Sequence, residues 1–197
     1  MTSVFDVAAE LLERGGGTME TVKLQKLCFY AFGWYARLTA EPLFGEKFYA
    51  MQYGPVVGEL LSAHAKLKRI DQTAISVQRD VRGDDSAELD SYKSAVIDAV
   101  WLAYGRESSW DLVERTHDEQ VWIDAWESRH EGALRGDLYQ SALIEYFLDR
   151  PLEAGEKVML PPAMVSRAPF AELSTIEKDA KVHASFVDSV RTFTFAR

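Results

Sequence analysis

The residue types best suited to chemistry lie in one stretch, ESSWDLVERTHDEQVWIDAWE, at positions 107–127. It sets His117, Asp118 and Glu119 side by side, and an imidazole beside carboxylates can bind a metal or act as general base and acid. The same stretch holds three tryptophans and possible helix-capping groups. Two interpretations follow: a catalytic or metal site, or an architectural segment whose rings and caps hold helices in place.

A zinc site needs three or four ligands at fixed spacings. The chain has four histidines and one cysteine, Cys28, and neither H-x-x-x-H nor H-E-x-x-H occurs. Cys28 lies in the apolar run LCFYAF, which is typical of a buried small hydrophobe. Scattered carboxylates could still hold a hydrolytic metal, but no motif supports one. We therefore expect no metal and no cofactor.

The sequence also lacks the motifs of the common nucleotide and hydrolase sites. G-x-S-x-G, the P-loop and G-x-G-x-x-G are absent. Gly15–Gly17 is a bare triplet without a following Lys-Ser/Thr, which is typical of a linker. These observations favour a protein that is not an enzyme.

The charge balance disfavours nucleic acid as the partner. Twenty-two basic and 31 acidic side chains give a net charge of −9, whereas nucleic-acid binders normally show a basic footprint. The best basic stretch, HAKLKR at 64–69, is short. The N-terminal segment does not resemble a signal peptide, and no run approaches the ~20 apolar residues of a membrane span. We expect a cytoplasmic protein with protein partners.

Apolar residues recur every three or four positions along most of the chain, which predicts a mainly α fold. The expected fold is a compact helical domain with a small β-hairpin-like element near 47–53 and 75–78, plus a C-terminal helix. We predict seven helices in the body. The first begins after Ser3 and ends at Gly15, and the second begins near Thr18 or Thr21 and ends before Pro42. The other five span Val56 to Leu67, Ser91 to Tyr104, 109 to 115, 117 to about 128, and Leu138 to Phe147.

Capping patterns support these boundaries. Ser3 with Asp6 and Ser108 with Asp111 fit helix starts, and Thr116 with Glu119 fits a capping box. On that interpretation, His117 is a first-turn residue, and the indoles of the stretch are buried wedges. Gly54-Pro55 predicts a turn into a helix, because proline is tolerated in a first turn.

The composition changes after Pro151, where four of the six prolines fall within 151–173. We therefore predict a helical domain at 1–150 and an appendage at 151–197, made of a proline-containing connector and an amphipathic helix. Ser174 and Glu177 form a further capping pattern at the start of that helix. The helix either packs on the body or binds a partner.

Several blocks in order resemble one family: KLQKL, YGPV and T-H-x-x-x-x-W, supported by VFDVAAELLE and LIEYF. The chain resembles Panacea-domain, or SocA-like, antitoxins over about residues 4–148. Two positions depart from the family pattern, Cys28 in place of a large aliphatic and Val121 in place of a proline. The resemblance implies a structural role for the motif residues Lys23, Gln25, Lys26, Tyr53, Gly54, Pro55, Thr116, His117, Glu119 and Trp122. On the same resemblance, Trp122 is a core ring that packs near His117.

The resemblance also implies a function without catalysis. Proteins of this family are antitoxins of toxin–antitoxin systems, with a place in phage defence, and neutralise a cognate toxin by binding it. An alternative is a proteolytic adaptor that delivers the toxin to an AAA+ protease. A DNA-binding autoregulator and a metal-dependent hydrolase are weaker alternatives.

An antitoxin of this kind needs exposed apolar or aromatic anchors on its surface. The predicted partner-binding residues are two tyrosines of the body and four apolar residues of the C-terminal helix: Tyr49, Tyr92, Phe186, Val187, Val190 and Phe193.

Overall fold

The structure, a computed structural model, describes residues 2–82, 89–152 and 156–165. These residues contain eight helices and five short strands. The expected mainly α fold with small β elements is confirmed. In chain order the elements are α1 (Val4–Arg14), β1 (Thr18–Glu20), α2 (Thr21–Thr39), β2 (Phe48–Met51), β3 (Gly54–Val57), α3 (Gly58–Ala63), β4 (Arg69–Asp71), α4 (Gln72–Arg82), α5 (Ser91–Tyr104), α6 (Ser109–His117), α7 (Gln120–Glu127), β5 (Arg135–Leu138) and α8 (Gln140–Asp149).

Helix α2 forms the centre of the fold and is buried on nearly every side. Helices α1, α5, α6 and α8 pack around it, and a helix buried on most of its faces is stable only in such surroundings. Phe29 and Phe32 of α2 contact Phe48 of β2 edge-on, with ring centroids 6.3 and 5.1 Å apart. Cys28 is fully buried among these residues, as expected.

Three capping patterns predict helix starts in the body, and two of them are confirmed. The Ser3 hydroxyl accepts from the Asp6 backbone, and the Asp6 carboxylate accepts from the Ser3 backbone. Ser108 and Asp111 make the same reciprocal pair at the start of α6. Each pair satisfies backbone N–H groups that the first turn of a helix leaves free.

The β element differs from the prediction. Strand β2 confirms the strand expected at 47–53, and it lies between β3 and β5 in an antiparallel sheet. Residues 75–78 belong to α4, so the second predicted strand is wrong. Four residues with Ile75 buried and Val77 exposed are too few to distinguish the helical period from the strand period.

The residues after the Gly54-Pro55 turn also begin as a strand. Pro55 pairs with Ala50 in β3, and α3 begins only at Gly58. The predicted first-turn role of Pro55 is therefore wrong. Strand β3 is the edge of this sheet, where the missing N–H of a proline costs little.

A second, two-stranded ladder joins β1 to β4, with Met19 opposite Ile70. Helix α2 consequently begins at Thr21, the later of the two predicted starts. In the same way Leu138 ends β5, and α8 begins at Gln140. Strands of three or four residues have too short a pattern to be recognised from the sequence.

The described residues after Pro151 form neither helix nor strand, and they contact the body. The Met164 backbone donates to the Leu38 carbonyl at 2.7 Å, and the Tyr92 hydroxyl donates to the Pro162 carbonyl at 2.7 Å. The boundary at residue 150 stays a prediction. The predicted C-terminal helix lies outside the described residues.

Across the part of the chain that the structure describes, none of the helices combines the length and the apolar character needed to cross a membrane.

Candidate functional site

His117 and Trp122 form a ring stack that joins α6 to α7. Their ring centroids are 4.2 Å apart and their planes 19° from parallel, and Trp126 stacks on Trp122 in turn. The Trp122 indole donates to the Met51 carbonyl at 3.2 Å, which fixes α7 to β2. The predicted packing of Trp122 near His117 is confirmed.

The three consecutive polar residues do not converge on one site. Asp118 is exposed, whereas Glu119 is buried with 1 % of its side chain accessible. Burial and then the nearby charge of Lys26 lower the pKa of His117, which keeps its imidazole neutral at neutral pH. Among residues 2–82, 89–152 and 156–165, no group of three or more His, Cys, Asp or Glu side chains is arranged to hold a metal ion.

The predicted capping box at Thr116 and Glu119 is wrong. Helix α6 continues through His117, and the Thr116 hydroxyl donates to the Val113 carbonyl at 2.9 Å inside it. Helix α7 begins at Gln120, and Glu119 precedes it without a side-chain cap. The Glu119 carboxylate instead accepts hydrogen bonds from side chains in distant parts of the chain.

Glu119 is the centre of a buried polar network. Arg150 donates two hydrogen bonds to its two oxygens, Nε to Oε2 at 2.8 Å and Nη2 to Oε1 at 2.9 Å. Tyr30 donates to the same carboxylate at 3.0 Å and Tyr146 at 2.6 Å. The bidentate arginine and the two hydroxyls satisfy a carboxylate that would otherwise be costly to bury.

The network extends to a second carboxylate beyond Pro151. Arg150 Nη1 donates to Glu156 at 2.8 Å, and the Tyr104 hydroxyl also donates to Glu156. The Trp34 indole donates to the Tyr104 oxygen at 2.9 Å. Sequence reasoning missed Arg150, Tyr30 and Glu156. Arg150 and Tyr30 lie 31 and 89 positions from Glu119, and Glu156 lies 52 positions from Tyr104, so these contacts leave no spacing signal.

The KLQKL motif of α2 holds the neighbouring loops. Lys23 donates to the Gly105 and Glu107 carbonyls, each at 2.8 Å, and so caps the end of α5. Gln25 is buried; its amide oxygen accepts from the Val57 backbone at 2.8 Å, and its nitrogen lies 3.0 Å from His64 Nε2. These contacts support the structural role that the resemblance implies.

Lys26 differs from the other residues of the motif. Only 1 % of it is exposed, and its ammonium donates to the Pro55 carbonyl at 2.8 Å. Within the described part of the chain, no carboxylate forms an ion pair with it. Burial lowers its pKa to about 7. Because no counter-ion compensates its charge, the protonated form of Lys26 is costly to bury, and Lys26 is the least compensated ionisable group of the motif.

Gly54 makes room for this lysine. Its φ of +89° is a conformation that side chains disfavour. A Cβ at Gly54 would lie 2.5 Å from the Thr116 hydroxyl and 2.9 Å from Lys26 Nζ. The YGP block therefore allows close contact between β3, α2 and α6.

A cavity of about 260 Å³ opens beside Lys26. Val56 and Leu134 contribute apolar wall, and Gln25 and His64 contribute buried polar groups. Tyr53 also lines the cavity and is half exposed. The cavity combines apolar walls with the buried amine of Lys26, which has no carboxylate partner among the described residues.

The predicted partner-binding tyrosines are less accessible than expected. Tyr49 is half-buried, with the Arg135 guanidinium 4.3 Å from its ring centroid. Tyr92 is also half-buried against Tyr35, and its hydroxyl is bonded to Pro162. Phe186, Val187, Val190 and Phe193 lie outside the described residues, so the predicted surface in the C-terminal helix stays a prediction.

A different pair of aromatic residues is exposed. Trp110 is 61 % accessible and Tyr53 is 50 % accessible, and their rings meet edge-on at 5.5 Å. The expectation that all three indoles of the stretch are buried is therefore wrong for Trp110. A helical wheel could have indicated this, because Leu112 and Val113 mark the buried side of α6 and Trp110 lies off it.

A comparison with protein families gives a match to the family described as antitoxin SocA-like, Panacea domain, over residues 24–123. The matched stretch covers just over half of the chain. The protein belongs to the Panacea-domain family. No curated protein and no solved structure matches the chain significantly.

The Panacea match is narrower than the resemblance over 4–148 predicted from the sequence. It runs from α2 into α7 and includes Lys26, Gly54 and Trp122. Arg150 and Glu156 lie beyond it, so the buried network ties the Panacea segment to residues that follow the match.

Proposed function

We propose that this Panacea-domain protein is the antitoxin of a toxin–antitoxin system and neutralises a cognate protein toxin by direct binding in the cytoplasm. The match to the SocA-like antitoxin family carries the proposal. The protein makes and breaks no bond of its own; it offers a shaped surface to another polypeptide. Phage defence is the setting that the family resemblance suggests.

The arrangement of the surface supports binding as the activity. Trp110 and Tyr53 form an exposed aromatic pair on a domain held by a buried network. Tryptophan and tyrosine are enriched among the residues that dominate binding energy. A rigid scaffold also limits the entropy lost when a partner binds.

The direct test is co-expression with the product of the neighbouring reading frame. That product should stop growth when expressed alone, and this protein should restore growth and co-elute with it in size exclusion. Growth arrest that persists, or rescue without a complex, would contradict neutralisation by binding.

The same strains distinguish sequestration from delivery to an AAA+ protease. After synthesis is blocked, the level of a sequestered toxin should stay constant in a degradation time course. Toxin that disappears faster in the presence of this protein would indicate a proteolytic adaptor instead.

A further inference from the structure

The cavity beside Lys26 continues into a longer groove. A second concavity of about 540 Å³ shares Thr21 and Val22 with it. A third, of about 500 Å³, shares Ser109 and Trp110 with the second. The three concavities therefore follow one another past the N-terminal end of α2, which suits an extended partner segment.

Large apolar residues border this groove and are exposed to solvent. Leu134 and Tyr53 lie at the first concavity, Leu67 at the second, and Trp110 at the second and third. All four expose at least half of their surface. A run of exposed large apolar groups around a concave surface is typical of a binding site for another polypeptide.

The charges of the groove oppose those of the chain. Lys23, Lys68 and Arg69 line the second and third concavities, together with one acid, Glu20. Arg14 also lines the third concavity, but Glu10 and Asp98 neutralise its charge. The chain as a whole carries −9. A basic groove on an acidic protein favours an acidic partner segment.

Lys26 lines the first concavity of the groove, and it is buried and without a carboxylate partner among the described residues. A carboxylate entering the cavity would form an ion pair with it, shielded from solvent by the apolar walls. The exposed aliphatic side chains of Leu67 and Leu134 along the groove favour an apolar polypeptide over a nucleic-acid strand, whose backbone carries a phosphate at every nucleotide.

We propose that an extended, apolar segment of the toxin lies in this groove and inserts an aspartate or glutamate side chain into the cavity, where Lys26 binds it. The inference rests on the proposed antitoxin function and adds to it the docking surface and the chemistry of the partner segment.

The test measures the affinity of the full-length protein for the product of the neighbouring reading frame by calorimetry. Lys26→Met and Trp110→Ala should each weaken binding at least about tenfold, since truncating a buried charge pair or an anchor has effects of this size. Arg69→Glu should weaken binding and reduce its salt dependence.

Two variants outside the groove serve as matched controls. Leu102→Ala removes an exposed apolar group of α5, and Lys157→Glu reverses an exposed charge. Both should leave the affinity within about twofold of the wild type, as is usual away from the centre of an interface. Thermal unfolding of every variant separates lost binding from lost folding.

A double-mutant cycle identifies the carboxylate. Each acidic residue of the toxin is changed to its amide, and one such change should have no further effect once Lys26 is methionine. Loss of affinity in the Trp110 variant without any coupled acid would overturn the carboxylate assignment.

Failure of the inference is distinguishable from failure of the proposed function. If the wild type does not bind the neighbouring product, the antitoxin proposal fails. If the wild type binds but all three groove variants bind equally well, the groove proposal alone is overturned. Binding of a single-stranded RNA oligonucleotide that requires Trp110 and Arg69, with toxin binding unchanged, would also overturn it.

Discussion

Lys26, a lysine buried near the N-terminal end of α2, is the least expected single residue of this protein. Its ammonium donates to the Pro55 carbonyl of β3, and its charge contributes to the lowered pKa of His117. A methionine would fill the same space without a charge to desolvate. The presence of lysine therefore points to a role other than stabilising the domain.

The first prediction concerns Lys26→Met and pH. The folded pKa of about 7 lies below the 10.5 of the unfolded chain, so the unfolded state binds more protons between these values and wild-type stability rises with pH across them. The variant lacks this gain of about 1.4 kcal/mol per pH unit. It should therefore be the more stable form at about pH 7, with an advantage that shrinks by about pH 9.5.

Urea unfolding of both proteins across this range provides the measurement. Working above pH 7 keeps His117, whose pKa is lowered, in its neutral form throughout. A stability difference that does not change with pH would show that the Lys26 amine has an ordinary pKa.

The second prediction concerns Gly54→Ala. The change forces a side chain into a φ of +89° and against both Thr116 and Lys26, and the free energy of unfolding should fall by about 3 kcal/mol or more. Gly132→Ala is the control, because its φ is +77° with no atom within 4 Å of the new Cβ. It should lose only about 1–2 kcal/mol, the strain of the backbone alone. Equal losses in urea unfolding would refute the close contact.

At the scale of elements, distant side chains hold the helices together. Glu119, between α6 and α7, accepts from Tyr30 of α2, Tyr146 of α8 and Arg150 at the end of α8. The orientation of these helices therefore depends on one carboxylate as well as on apolar packing. Polar networks of this kind favour one arrangement of a core, provided that every member is satisfied.

The third prediction compares two glutamates. Glu119→Gln removes the charge from a buried pair whose side chains are only 1 % and 2 % accessible, and we expect a loss of about 3 kcal/mol, near the lower end for such pairs because Glu156 still neutralises Arg150. Glu107→Gln disrupts the pair with Arg115, which is about a quarter exposed, and should lose less than about 1 kcal/mol. Chemical denaturation of both variants gives the comparison. Similar losses of unfolding free energy would show that the buried network stabilises the fold no more than an exposed ion pair does.

At the scale of the whole molecule, residues beyond the family match complete the domain. Glu156 bonds to Arg150 and Tyr104, and Val158 and Leu160 pack against the core. This segment lies C-terminal to the boundary predicted at residue 150. Its contacts suggest that the folded unit extends past the proline-rich junction.

The fourth prediction tests that boundary by truncation. A chain of residues 1–150 loses Glu156 and the apolar contacts after it, whereas a chain of 1–165 keeps them. The melting temperature of the shorter chain should be at least about 5 °C lower, given the value of a buried ion pair and the usual shift per kcal/mol. Equal melting temperatures would support the boundary at 150.

The helical class, the helix starts at Ser3 and Ser108, and the family could all be predicted from the amino-acid sequence alone. These features depend on residues within one or two turns of each other, so they leave a readable spacing. The motif blocks KLQKL, YGP and T-H-x-x-x-x-W have the same advantage. The burial of Cys28 followed from local context as well, and the packing of Trp122 near His117 from the family resemblance.

The pairing of short strands, the exposure of Trp110 and the role of Glu119 became evident only in the folded protein. Strands of three or four residues carry no distinctive period, which explains why the sequence pattern predicts a strand at 75–78 and gives no sign of β5. The position of Glu119 fits a local cap, yet its carboxylate accepts hydrogen bonds from Arg150, 31 residues away, and from Tyr30, 89 residues away. A buried carboxylate takes the strongest donors available, and which donors those are depends on how the chain folds.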